Sequence, residues 1–166
     1  MHGMLSDLLD KLTSYNLLNY LLPGAVFAYF AANNLQIKLV PNNLVTAAFV
    51  YYFLGSVISR FGSLVFEPLL KTFRIVKFEP YEAYLTASDK DKKIEVLVEA
   101  ANMYRTLFSA MLLLLLLAAY KKAEAFSPFL AEWSNLIGGC AMALIFLFAF
   151  RKQTNFITNR IRKLNS

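Results

Sequence analysis

Between Arg105 and Lys121 the chain reads TLFSAMLLLLLLAAY, an uncharged run of about 15 residues that is apolar on every face of a helix. Such a run belongs in a packed interior or a bilayer. At 1.5 Å per residue it covers about 22 Å, short of the roughly 30 Å hydrocarbon core. A helix crossing a membrane here must therefore bring Arg105 close to the level where lipid gives way to water.

Three further apolar runs accompany it, and the spans expected are 17-33, 43-60, 105-121 and 133-150. The composition agrees, with 58% apolar and only 17% charged residues, against about 25% charged in an average soluble domain. The fold class expected is all-α: an integral membrane protein with four transmembrane helices and helical cytoplasmic extensions, forming one membrane domain over 1-166. Four spans place both termini on one side. Lys and Arg fall 14 to 3 in favour of the termini and the long section, counted from Arg60 to Arg105, with only Lys38, Lys121 and Lys122 in the two short connections. That bias assigns termini and long section to the cytoplasm, as expected of a multi-pass bacterial inner-membrane protein. LSDLLDKL has no small-x-small cleavage pattern after it, so the first span is expected to stay in the protein.

Local signals refine this layout. Leu5, Leu8, Leu9 and Leu12 share a helical face suited to the membrane surface. Pro23-Gly24 interrupts the first span and predicts a kink. Pro80 predicts a short helix, PYEAYLTA. Ser88, with Asp91 three residues on, predicts the cap of a helix running from Asp89 to Tyr120. After Phe150, RKQTNFITNRIRKLN predicts a basic amphipathic extension, the cytoplasmic tail 151-166.

Three groups of residues are candidates for function. Arg60 and Arg105 lie at the cytoplasmic ends of spans, with Glu67 and Glu99 within two turns along their own helices. Charge at membrane depth is costly, so either these four form a coupling layer or the arginines snorkel to the headgroups. Gly24, Ala28 and Ala32 on the first span, Gly55, Ser59 and Ser63 on the second, and Gly139 with Ala143 on the fourth form small-xxx-small faces for helix packing or oligomer contact. LLLLLL, by contrast, predicts a third span that meets lipid over much of its circumference. Lys90, Lys92 and Lys93, together with Arg151, Lys152, Arg160, Arg162 and Lys163, are suited to anionic lipid or an acidic partner.

Catalytic motifs are missing: the sequence has no GxxxxGK[ST], HExxH, GxSxG or CxxC, its single His is His2 and its single Cys is Cys140. Neither enzymatic activity, a cofactor nor a metal is expected, and the net charge of +6 is placed at span ends rather than in a nucleic-acid-binding patch. The partners expected are the lipid bilayer, further copies of the chain and a cytosolic protein.

The stretches YNLLNYLLPG, SRFGSLVFEPLLK and NMYRTLF are similar to those of small bacterial membrane proteins. In outline the whole chain resembles the four-span inner-membrane subunits of bacterial antiphage defence systems, such as the Kiwa membrane subunit or CRISPR-associated membrane accessories. The resemblance implies an oligomeric effector or anchor that couples a cytosolic partner or signal to membrane packing or permeability. The residues also allow a small transporter or constitutive channel, and a structural membrane scaffold.

Overall fold

The computed structural model describes residues 17–164. Leu5 to Leu12, the surface-helix candidate, lies outside that range. The described residues are helical with no strand. They fall into two compact units that meet at Ala118 and Ala119.

In the first unit a π-helical turn, Leu17–Leu21, runs directly into α1, Leu22–Leu35. The widened turn has a local cause. Pro23 has no N–H to give, and its ring would strike the carbonyl four residues earlier in a regular helix. The same arrangement recurs in the second segment. There α2, Leu44–Phe61, passes through a π-helical turn, Gly62–Phe66, into α3, Glu67–Thr72, and Pro68 follows that turn at the same spacing as Pro23 follows the first. Both apolar segments therefore absorb a proline by widening and do not break.

Caps define the ends. Gln36, at φ 56°, closes α1 in the left-handed conformation, with the Ile37 N–H donating to the Ala31 carbonyl at 3.1 Å. Asn43 opens α2, its Oδ1 accepting from the N–H groups of Val45 and Thr46 at 3.0 and 3.1 Å. Pro80 precedes α4, Tyr81–Lys90, and α5 covers Lys93–Glu124. The cap of α5 differs from the expected one. Ser88 is buried inside α4 with its hydroxyl on the Leu85 carbonyl, while Asp91, extended at φ −134°, accepts from the Lys93 N–H at 2.9 Å. Asp91 lies just past the end of α4 and just before α5, so it breaks the helix that a cap at Ser88 would have started.

Packing in this unit depends on small side chains. A Cβ added to Gly24 would strike the Tyr51 carbonyl, and one added to Gly55 would strike the Tyr20 carbonyl, so the two backbones cross in direct contact. Tyr20 and Tyr52 meet edge to face beside the crossing, with centroids 5.4 Å apart. Phe27, Ala31, Ile58 and Ala110 form the buried core, which brings α5 against the first two helices, with Leu113, Leu114 and Leu117 packed around it. The leucine run thus has a packed side after all. Leu115 and Leu116 remain exposed; six identical residues carry no pattern, and the residues before them choose the face.

In the second unit α6, Pro128–Leu164, follows α5 after a connection of only three residues, with Pro128 at its first position. The expected connection, Lys121 to Glu132, is shortened because both helices run into it. The Tyr120 hydroxyl donates to the Leu130 carbonyl at 3.2 Å, and Phe129 stacks on Trp133. Helix α6 continues well past Phe150, as the amphipathic tail predicts.

Three helical segments are long and apolar enough to cross a membrane: Leu44–Thr72, Lys93–Glu124 and Pro128–Arg162. Helix α1 alone, at 14 residues, covers about 21 Å and falls short of the hydrocarbon thickness.

Candidate functional site

Polar groups concentrate where α3 meets the middle of α5. Arg105 Nη1 donates to Glu67 Oε2 at 2.6 Å, joining residues 38 apart in sequence. The second carboxylate oxygen, Oε1, accepts from Lys71 Nζ at 2.9 Å, one helical turn further along α3. Lys71 in turn sits over the Phe78 ring, 4.2 Å from its centroid. One carboxylate therefore ties α5, α3 and the segment leaving α3 into a single chain of contacts.

Burial sets the strength of this arrangement. The Glu67 and Arg105 side chains are 12% and 21% exposed, and Lys71 is 45% exposed. The Arg105–Glu67 bond is thus a largely desolvated ion pair, in which removing one partner strands the other charge. The Lys71 contact is closer to a surface pair and contributes less. Arg105 Nε is buried with no hydrogen-bond partner.

The neighbouring residues explain how α5 comes close enough. Thr106, Ser109 and Ala110 are fully buried, and the two hydroxyls donate to carbonyls four residues earlier, on Asn102 and Arg105, at 2.8 and 2.7 Å. With their hydrogen bonds satisfied within α5, they present small surfaces to α2. Gly62 fits against Ser109, and an added Cβ there would strike the Ser109 hydroxyl. Phe66 completes the contact, edge to face with both Phe61 and Phe108.

Of the four residues expected in a coupling layer, the structure brings together Glu67 and Arg105. Arg60 is exposed and Glu99 half-buried, and among the described residues neither joins an ion pair. The π turn supplies the reason for Arg60. Seven residues along a regular helix return to nearly the same face, but each π-helical residue turns the chain less, so Gly62–Phe66 rotates Glu67 by roughly a quarter turn relative to Arg60. Lys71 and Gly62 were not among the sequence candidates. The i,i+4 spacing of Lys71 from Glu67 was a readable signal; nothing in the sequence matches Gly62 to Ser109.

The small-residue faces are placed as follows. Gly24 and Ala28 are buried on α1, whereas Ala32 is exposed and Ala31 is fully buried. From Gly24, seven residues return within about 20° of the same face and eight overshoot it by about 80°. Gly55, Ser59 and Ser63 are all buried. In the second unit, nothing from that unit comes within 4 Å of a Cβ added at Gly139, and Ala143 is exposed.

The basic clusters lie in different units. Lys90, Lys92 and Lys93 are exposed around the α4–α5 break, with Lys92 3.6 Å from Glu95. Arg151, Lys152, Arg160 and Arg162 follow the apolar part of α6, whose last turns also include Lys163. In comparisons with family models, curated proteins and solved structures, the chain matches none.

Proposed function

We propose that the chain is an oligomeric inner-membrane effector or anchor, working in bacterial antiphage defence, that couples a cytosolic partner or signal to membrane packing or permeability. The observation that carries this reading is the desolvated Arg105–Glu67 pair, extended by Lys71. It joins two membrane-length helices near the polar ends of their apolar stretches, where a force applied to the emerging helices would reach the spans. Leu17–Leu35 counts as the first of four spans, since its π turn and α1 form one continuous apolar helix packed on α2 through Gly24 and Gly55. With the 14 to 3 bias of Lys and Arg, both termini and the long polar section that follows the second span are cytoplasmic.

The test is membrane potential in cells carrying the chain with its neighbouring genes, before and after phage challenge. Arg105→Gln and Glu67→Gln are expected to abolish the response at normal expression, and the charge swap Arg105→Glu with Glu67→Arg to restore part of it. An unchanged response in both single variants overturns the coupling. Solute flux in proteoliposomes with no other protein present would identify a transporter or channel instead, and neither flux nor depolarisation a scaffold.

A further inference from the structure

The segment leaving α3 has features that the ion-pair layer does not use. Residues 69–78 read LLKTFRIVKF, with three cations, Lys71, Arg74 and Lys77, and no acidic residue. Four large apolar side chains are exposed among them: Leu69 at 48%, Phe73 at 72%, Ile75 at 68% and Phe78 at 60%. Exposed apolar groups interleaved with exposed cations are poorly suited to water alone and poorly suited to a neutral core.

The backbone holds this surface in a defined shape. Past Thr72 the N–H groups of Phe73, Arg74 and Ile75 donate to the carbonyls of Leu69, Lys71 and Leu70 at 3.0, 3.0 and 2.9 Å. Arg74, at φ 58°, makes the left-handed turn that ends the helix. The contact of Lys71 with the Phe78 ring closes the segment back onto α3.

Length decides what faces it. Leu44–Thr72 is 29 residues, about 43 Å as a helix, and a bilayer including its headgroups is about 40–45 Å thick. A helix that begins at one headgroup surface therefore ends in the opposite headgroup layer, with Phe73 the first residue beyond it. Aromatic rings and basic side chains are the groups that this layer accommodates.

We propose that residues 69–78 form an anchor for anionic lipid. Phe73, Ile75 and Phe78 enter the headgroup layer of the leaflet into which α3 emerges, and Arg74 and Lys77, with the exposed side of Lys71, face lipid phosphates. The anchor fixes the depth of Glu67, one turn above Lys71, and so the depth of the pair with Arg105. It rests on the membrane-spanning reading above, and adds to it a lipid class and a set of contacts.

The experiment places a Trp at the anchor, Phe73→Trp with Trp133→Phe, Trp133 being the only Trp in the chain. The full chain is purified and placed in lipid nanodiscs with and without phosphatidylglycerol. Quenching by phospholipid brominated in the upper acyl chain is expected, with roughly a twofold gain when phosphatidylglycerol is present, and Arg74→Gln with Lys77→Gln is expected to remove the gain. Full quenching by aqueous acrylamide and none by brominated lipid would show a water- or protein-facing loop and overturn the anchor. Lipid quenching with no dependence on phosphatidylglycerol would overturn its anionic specificity. Resistance of the chain to alkaline carbonate extraction reports membrane integration separately; extraction would overturn the spanning reading and the anchor with it.

Discussion

Glu67 is the residue on which the first unit's polar contacts converge, and its partners differ enough in burial to be told apart. Replacing Arg105 or Glu67 with Gln leaves a desolvated charge and is expected to cost about 3 kcal/mol, whereas Lys71→Gln is expected to cost less than about 1 kcal/mol. Thermal unfolding in detergent micelles, run as a double-mutant cycle, checks this ordering; equal losses for Arg105 and Lys71 would contradict it. The glycines make a second residue-scale contrast. Gly24→Ala or Gly55→Ala drives a methyl into a facing carbonyl and is expected to lower stability by about 2 kcal/mol or more. Gly139→Ala meets no atom of its own unit and is expected to be neutral or slightly stabilising through helix propensity. At this scale the sequence was legible where a rule acts within one helix. Charge cost singled out Arg60, Arg105, Glu67 and Glu99, of which Arg105 and Glu67 meet, and spacing pointed to Gly55, Ser59 and Ser63, which are buried. A four-residue repeat drifts off a 3.6-residue helix within two steps, so Ala31 is the buried residue and Ala32 is exposed.

At the scale of elements, the π turns explain most of what the sequence reading missed. Pro23-Gly24 predicts a kink, and both Pro23 and Pro68 sit just after a widened turn through which the helix continues. Widening rotates everything beyond it, which is why Arg60 and Glu67 part company. No periodicity argument finds such a rotation, because the argument assumes one fixed period along the segment. Deleting one residue from Gly62–Phe66, together with Pro68→Ala, is expected to return the segment to regular α-helical register. Glu67 would then turn away from Arg105. The coupling between Glu67 and Arg105 provides the measurement, read as a double-mutant cycle of Glu67→Gln and Arg105→Gln by thermal unfolding in detergent micelles. A coupling above about 1 kcal/mol is expected with the turn intact, and none in the deletion variant. A coupling that survives the deletion would mean that the turn does not set the register.

For the whole molecule, apolar length was the most legible property and the number of crossings the least. Helices Lys93–Glu124 and Pro128–Leu164 exceed the hydrocarbon thickness, so their membrane-spanning length follows directly from counting residues. Leu22–Leu35 falls short on its own, and its role depends on the continuous π turn and on the Gly24–Gly55 crossing, neither of which hydropathy records. Whether that first segment crosses determines which side the N-terminus occupies, and accessibility labelling decides it. In a Cys140→Ala background, Phe126→Cys, in the three-residue connection between α5 and α6, is expected to react with a membrane-impermeant maleimide in intact cells. Lys90→Cys, in the 61-104 section, is expected to react only after lysis. An epitope tag at the N-terminus is expected to behave as Lys90→Cys does if Leu17–Leu35 crosses the bilayer. A tag that is accessible from outside, with the other two sites labelled as expected, would reduce the protein to three crossings. Leu17–Leu35 would then be an outer helix held against α2 through Gly24 and Gly55.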